Sequence, residues 1–194
     1  MGLDASTVEE TAVRFFNVPN ILSLSRILSV PVFIMLMLEP TPVRALTAGV
    51  VFSLASATDW LDGYLARKWG QVTKAGKLLD PIADKILIMS ALVILVKIRP
   101  DIVYSWIAIV IIGREFAVTG LRAIASSENI IIPAETVGKY KVGAQITAVL
   151  SLLLDYYLAE QWLRVLGTVA LWIAMILAVY SAVKYFKTYW KHLN

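Results

Sequence analysis

The sequence predicts an all-α integral membrane protein with six transmembrane helices, preceded by a short interfacial amphipathic N-terminal helix. Three observations carry that expectation. Hydrophobic residues make up 59% of the 194-residue chain and charged residues only 16%, with a mean hydropathy of +0.74, a balance unsuited to a soluble globule. Apolar stretches long enough to span a bilayer recur along nearly the whole length, leaving no room for a separate soluble domain. Basic residues gather at alternate ends of these stretches, as a multi-pass topology requires.

Residues 1–16 read as the interfacial helix. Asp4 or Ser6 can cap it, Glu9 and Glu10 fall in its first turns, and Val8, Ala12, Phe15 and Phe16 share one face. The alternative is a frayed tail. This acidic start lacks the basic opening of a cleavable signal peptide, so its retention is expected. Residues 17–194 form one membrane domain, with spans expected at 21–38, 43–66, 78–96, 102–125, 142–158 and 162–186. Turn-forming segments separate them: EPTPVR, KIRPD and the longer SSENIIIPAETVGKYK.

Orientation follows from the basic residues. Arg14, Arg67, Lys68, Lys74, Lys77, Arg122, Lys139, Lys141, Lys184, Lys187 and Lys191 flank one side, against Arg44, Lys97, Arg99 and Arg164 on the other. The positive-inside rule therefore puts both termini in the cytoplasm. Trp60, Tyr64, Trp69, Tyr140, Tyr185, Tyr189 and Trp190 lie near the same boundary, as an aromatic belt would. The net charge of +4 suits anionic lipid headgroups, and no nucleic acid is expected, because the basic residues sit at the membrane boundary. There is no cysteine, which excludes disulfides and thiolate chemistry. His192, at the extreme C-terminus, reads as a tail residue rather than a catalyst.

Against this apolar background stand two aspartate pairs, Asp59 with Asp62 on the second span and Asp80 with Asp84 on the third. Spacings of three and four residues project each pair from one face of its helix. Ionised carboxylates are costly at membrane depth and functional by default there. One such aspartate is often an internal salt-bridge partner, for which Lys85 or Arg114 would serve; four on matched stripes are poorly explained that way. A short basic loop joins the two spans, so they are expected to be antiparallel neighbours with their acidic stripes facing. Hard oxygen ligands suit Mg²⁺, Mn²⁺ or Ca²⁺, and two divalent cations would balance four negative charges. Metal pairs about 3.5–4 Å apart are a recurring device for phosphoryl transfer. Gly63 and Gly76, lacking side chains, let a bulky ligand approach the backbone, and Arg67 can bind a phosphate with its guanidinium fork.

The run Asp59, Asp62, Gly63, Ala66, Arg67, then Gly76, Asp80 and Asp84, resembles the signature of the CDP-alcohol phosphotransferase family at every defining position and with the expected gap. The resemblance implies six transmembrane helices, a homodimer, and transfer of a substituted phosphate from a CDP-linked donor to an alcohol with release of CMP. Carried over position by position, it implies that Asp59 and Asp80 bridge two metals, Mg²⁺ or Mn²⁺, while Asp62 ligates one and Asp84 the other. Asp84 also matches the general base for the acceptor hydroxyl. Gly63 and Arg67 match positions contacting the CDP moiety, with Gly76 beside them and Thr73 in the connecting loop. Asn20, in the segment Pro19-Asn20-Ile21-Leu22, resembles part of a segment closing over the nucleotide.

The acceptor is read elsewhere. Arg114 and Arg122 lie eight residues apart, about two turns, and are expected to share a face. Intramembrane arginines aimed at the bundle interior suit a phosphate on the incoming alcohol, with Lys139 and Lys141 adding charge at the cytoplasmic mouth. Arg114 has an alternative partner in Glu115 or in an aspartate of the metal site, and the lysines are equally explained by topology. The segments NVPNILSLSRILSVPVF, GREFAVTGLRAIASSENIIIP and GKYKVGAQ resemble the branch of the family that takes CDP-diacylglycerol as donor and sn-glycerol 3-phosphate as acceptor. Cardiolipin, phosphatidylserine and inositol-phospholipid synthases share the aspartate signature and remain alternatives. From another class, a cation- or proton-coupled transporter also carries buried carboxylates, but here the acids cluster at one membrane face. The short single-domain form resembles bacterial members, which implies an inner-membrane, multi-pass protein with a cytoplasmic active site.

Overall fold

The structure, a computed structural model, describes residues 18–69, 74–128 and 136–193, with side chains described for residues 21–58, 82–83, 85–128 and 137–190. The expected interfacial helix over residues 1–16 lies outside the described residues. Those described are all-helical, in six helices: α1 (Val18–Leu38), α2 (Pro42–Trp69), α3 (Lys74–Ile98), α4 (Ser105–Ser127), α5 (Thr136–Leu158) and α6 (Gln161–Leu193). Each contains one of the six expected spans over most of its length, and the differences at the ends have local causes.

Helix α1 stops at Leu38, just before Pro40. Thr41 then caps α2, its Oγ1 accepting the Arg44 N–H at 3.3 Å, with Pro42 in the first helical position, where a missing N–H costs nothing. Helix α4 begins at Ser105 rather than at residue 102. The Arg99 carbonyl accepts from the Ile102 and Val103 amides at 3.0 and 2.8 Å, a turn that buries both side chains before the helix starts. Helix α5 begins at Thr136, not at residue 142, so Lys139 and Lys141 belong to its first turns rather than to the connecting segment. Nothing between Thr136 and Val142 breaks a helix. Between α5 and α6 the chain turns on Ala159, whose φ of 56° is left-handed and whose N–H donates to the Asp155 carbonyl at 2.8 Å.

Helices α5 and α6 form the most extensive pair. Their approach depends on Gly167, where a Cβ would lie 2.7 Å from Leu152 Cγ. Helix α1 packs against both α2 and α3, α2 against α5, and α4 against α6. The acidic stripes expected to face each other have their side chains outside the described residues, and among the described residues α2 and α3 meet only slightly. The reason is α1: its Phe33 and Met37 are fully buried, and Phe33 meets Phe52 of α2 with ring centroids 6.1 Å apart. The shared core continues through Leu92, Leu95, Ile107, Leu152 and Leu171.

The outside is apolar as well. Met35, Ile109 and Ile176 are 69%, 68% and 58% exposed, so the faces turned away from the core need a non-aqueous surrounding. Two stretches among the described residues, Ile21–Leu38 and Gln161–Trp190, are long and apolar enough to cross a bilayer, yet only 28% and 33% of them is buried within the protein. That leaves most of their apolar surface for lipid. At the bundle end formed by the C-termini of α3 and α5, Asp155 is fully buried and pairs with Arg99 and, at 3.4 Å, with Arg164 of α6. Burial by itself would lower the Arg99 pKa, but its bonds to Asp155 and Asp101 outweigh that and raise it above the usual value.

Candidate active site

The signature residues fall on helical backbone: Asp59, Asp62, Gly63 and Arg67 on the second half of α2, and Gly76, Asp80 and Asp84 on the first half of α3. Within a helix, their spacing keeps each aspartate pair on one stripe. The aspartate and Arg67 side chains lie outside the described residues, as does that of Asn20 in α1; Thr73 lies outside them altogether. Four carboxylates and no softer donor make a set that fits a hard divalent cation. Among the described residues no other group of three or more His, Cys, Asp or Glu side chains could hold a metal.

What surrounds these stripes is described. On α2 the turn before Asp59 is fixed by two donors to one carbonyl: Arg26 Nε of α1 reaches Ala55 O at 3.1 Å, and Thr58 Oγ1 reaches it at 2.7 Å. Arg26 is 1% exposed, so a full positive charge is buried one helical turn from position 59. On α3, Lys85 follows Asp84 directly and donates to Thr119 Oγ1 of α4.

Beyond Asp84, α3, α4, α5 and α6 bring together a polar cluster that contains two of the predicted acceptor residues. Arg114 and Lys141 share one carboxylate oxygen, Glu115 Oε1: Arg114 Nη1 lies 3.1 Å from it, and Lys141 Nζ pairs with it. Arg114 is further held to α6, its Nε donating to Ala178 O at 3.2 Å and its Nη2 to Ser181 Oγ. Pairing with Glu115, one of the alternatives open from sequence, is thus observed. Lys141 is 4% exposed, so it is an interior charge and not merely a topological flank. A cavity of about 20 Å³ lies against this cluster, lined by Lys85, Ile88, Glu115, Lys141 and Gln145 among others.

Arg122 and Lys139 are not part of it. Both side chains are exposed, which corrects the expectation that Arg114 and Arg122 share a face. Eight residues amount to two turns plus a rotation of about 80°, enough to turn Arg122 away from the α4–α6 contact that buries Arg114. Gln145 and Ser181 were not singled out from sequence. Polarity was the signal that could have found them: an amide four residues after Lys141, and a hydroxyl within an otherwise apolar run of α6.

The comparisons with known proteins agree with the residue pattern. Residues 16–180 match the family model described as CDP-alcohol phosphatidyltransferase. The chain belongs to the CDP-alcohol phosphatidyltransferase family. Family members similar to it over nearly their whole length include the CDP-diacylglycerol--glycerol-3-phosphate 3-phosphatidyltransferase of Bacillus subtilis (strain 168), 43% identical over 191 residues that cover 92% of this chain and 98% of the relative. The protein of the same description from Pseudomonas fluorescens is 38% identical, covering 92% of each chain. That from Haemophilus influenzae is 35% identical, covering 88% of this chain and 91% of its own. Membership of this family and the outward-facing apolar helices make the chain a membrane protein.

Proposed function

We propose that this protein transfers the phosphatidyl group from CDP-diacylglycerol to sn-glycerol 3-phosphate, giving phosphatidylglycerol phosphate and CMP. The observation that carries the reading is full-length similarity, 43% identity across 98% of a relative described by that reaction, together with a complete aspartate signature on helical backbone. A buried cationic cluster, Arg114 with Lys141, suits an acceptor that itself bears a phosphate.

All six helices cross the bilayer in this reading, with residues 1–16 lying on the surface as a separate interfacial unit ahead of the membrane domain. Both termini and the active site face the cytoplasm of a bacterial cell, at the inner membrane, and the protein works as a homodimer. Asp59, Asp62, Asp80 and Asp84 would hold two divalent cations, Mg²⁺ or Mn²⁺. When bound, these supply charge neutralisation to the pyrophosphate and to the departing CMP.

The chain's own residues do the rest. Gly63 and Gly76 let the CDP moiety approach the helix backbones, Arg67 grips a phosphate, and Thr73 and Asn20 complete the nucleotide contacts. Arg114 and Lys141 hold the acceptor phosphate, while Arg122 and Lys139, exposed at the same end, draw it from solution. Asp84 takes the proton from the C1 hydroxyl. That oxygen forms a bond to the phosphorus nearer diacylglycerol as the bond from this phosphorus to the CMP oxygen breaks. The lipid tails stay in the bilayer throughout.

An acceptor panel tests the assignment. Purified protein with CDP-diacylglycerol and a divalent cation should release CMP with sn-glycerol 3-phosphate and not with serine, inositol or phosphatidylglycerol. Release with one of those three alone would move the chain to another branch of the family.

A further inference from the structure

Gln145 of α5 is 2% exposed, and among the described residues its amide nitrogen Nε2 has no hydrogen-bond partner. A buried donor left unmade is costly, and such groups in native proteins call for a specific explanation. Gln145 lines the cavity of about 20 Å³, together with Lys85, Ile88, Glu115 and Lys141, which has room for one water-sized group. Its position relative to the chemistry is informative. Ile88 follows Asp84 by one turn of α3, so the cavity opens one turn beyond the position of the general base. Lys141, one turn before Gln145 on α5, brings the phosphate-binding charge to the same cavity wall.

A three-carbon acceptor that reacts at C1 and carries its phosphate at C3 presents a hydroxyl at C2, between base and cation. We propose that Gln145 is a specificity-determining residue of the acceptor site, its amide donating a hydrogen bond to that unreacted C2 hydroxyl within the cavity. The inference rests on the acceptor reading above and extends it from phosphate recognition to hydroxyl recognition. A site built to pair a hydroxyl discriminates strongly against an analogue that lacks it, because the buried donor is then left unmade. An acceptor without the hydroxyl leaves the Gln145 amide nitrogen without that bond.

The test compares sn-glycerol 3-phosphate with 3-hydroxypropyl phosphate, the same chain lacking only the C2 hydroxyl, in CMP release from CDP-diacylglycerol. The wild-type protein should favour sn-glycerol 3-phosphate in kcat/KM by roughly tenfold or more. Gln145→Leu should lose that preference by falling on sn-glycerol 3-phosphate alone, with 3-hydroxypropyl phosphate changed by less than about twofold. Gln145→Met, which keeps side-chain length without the donor, repeats the measurement should the leucine variant fail to fold. A variant that lowers both acceptors by one factor would make Gln145 structural and overturn the proposal, as would a wild-type protein using both equally well. A wild-type protein active on neither compound but active on another alcohol would instead overturn the acceptor reading beneath it.

Discussion

Asp155 illustrates what a buried charge demands in this protein. It is inaccessible and neutralised by Arg99 and Arg164, and the Arg99 side chain is itself only 9% exposed. Removing the acid leaves the guanidinium only the exposed Asp101, at 3.4 Å, in place of its buried partner, so Asp155→Ala should cost about 3–5 kcal/mol, read as a lowered unfolding midpoint in detergent; a change within about 0.5 kcal/mol would show that the pair is dispensable. The signature aspartates are proposed to serve chemistry instead, and their variants should separate the two roles. Asp84→Asn should lower kcat by about a hundredfold or more, the scale of general-base catalysis, while binding of CDP-diacylglycerol persists. Near-normal turnover would dismiss Asp84 as the base. At this scale the candidate reactive residues stood out in the sequence, since acids at membrane depth are costly and paired helical spacing on two helices suits a metal site better than a salt bridge. Gln145 and Ser181 did not, because a single polar residue in an apolar helix acquires meaning only when its neighbours from other helices are known. Arg114 lay between the two cases: its charge was conspicuous, but its sharing of Glu115 with Lys141 depends on the packing of α4 against α6 and on where α5 sets Lys141.

Among the elements, the tight α5–α6 pair makes the clearest stability prediction. Gly167→Ala would thrust a methyl group to within 2.7 Å of Leu152 Cγ and 3.3 Å of the Leu152 backbone nitrogen. Neither atom is the free end of a side chain, so the helices must part, at about 1–3 kcal/mol. Gly120→Ala on α4 is the control: a methyl group there would meet nothing within 4 Å, so better helix propensity should leave stability equal or higher by up to about 1 kcal/mol. Equal effects of the two substitutions on the unfolding midpoint would contradict close α5–α6 packing at Gly167. The helices themselves were legible from apolar length and from Pro40, Pro42 and Pro100. Their order in space was not. The short loop between the acidic helices suggested antiparallel neighbours, and among the described residues it is α1, carrying Phe33 and Met37, that packs on both. Periodicity identifies which residues a helix can bury, but many partners satisfy the same apolar face.

For the whole molecule, a chain apolar both in its core and on its outer faces suits the proposed reaction, which joins a lipid-soluble donor to a water-soluble acceptor. The absence of cysteine makes the proposed orientation directly measurable. Glu39→Cys and Asp101→Cys, both at exposed positions between helices, should react with a membrane-impermeant maleimide added to intact cells, and Lys139→Cys should react only after the membrane is opened. The opposite pattern would invert the topology and put the site on the wrong face for cytoplasmic glycerol 3-phosphate. Phosphatidyl transfer to that acceptor is decided by following both products together. Purified protein is given CDP-diacylglycerol, a divalent cation and radiolabelled sn-glycerol 3-phosphate, and CMP and lipid-extractable label are counted. Equimolar CMP and labelled phosphatidylglycerol phosphate are expected, both abolished by excess chelator; CMP formed without label entering the lipid would contradict phosphatidyl transfer.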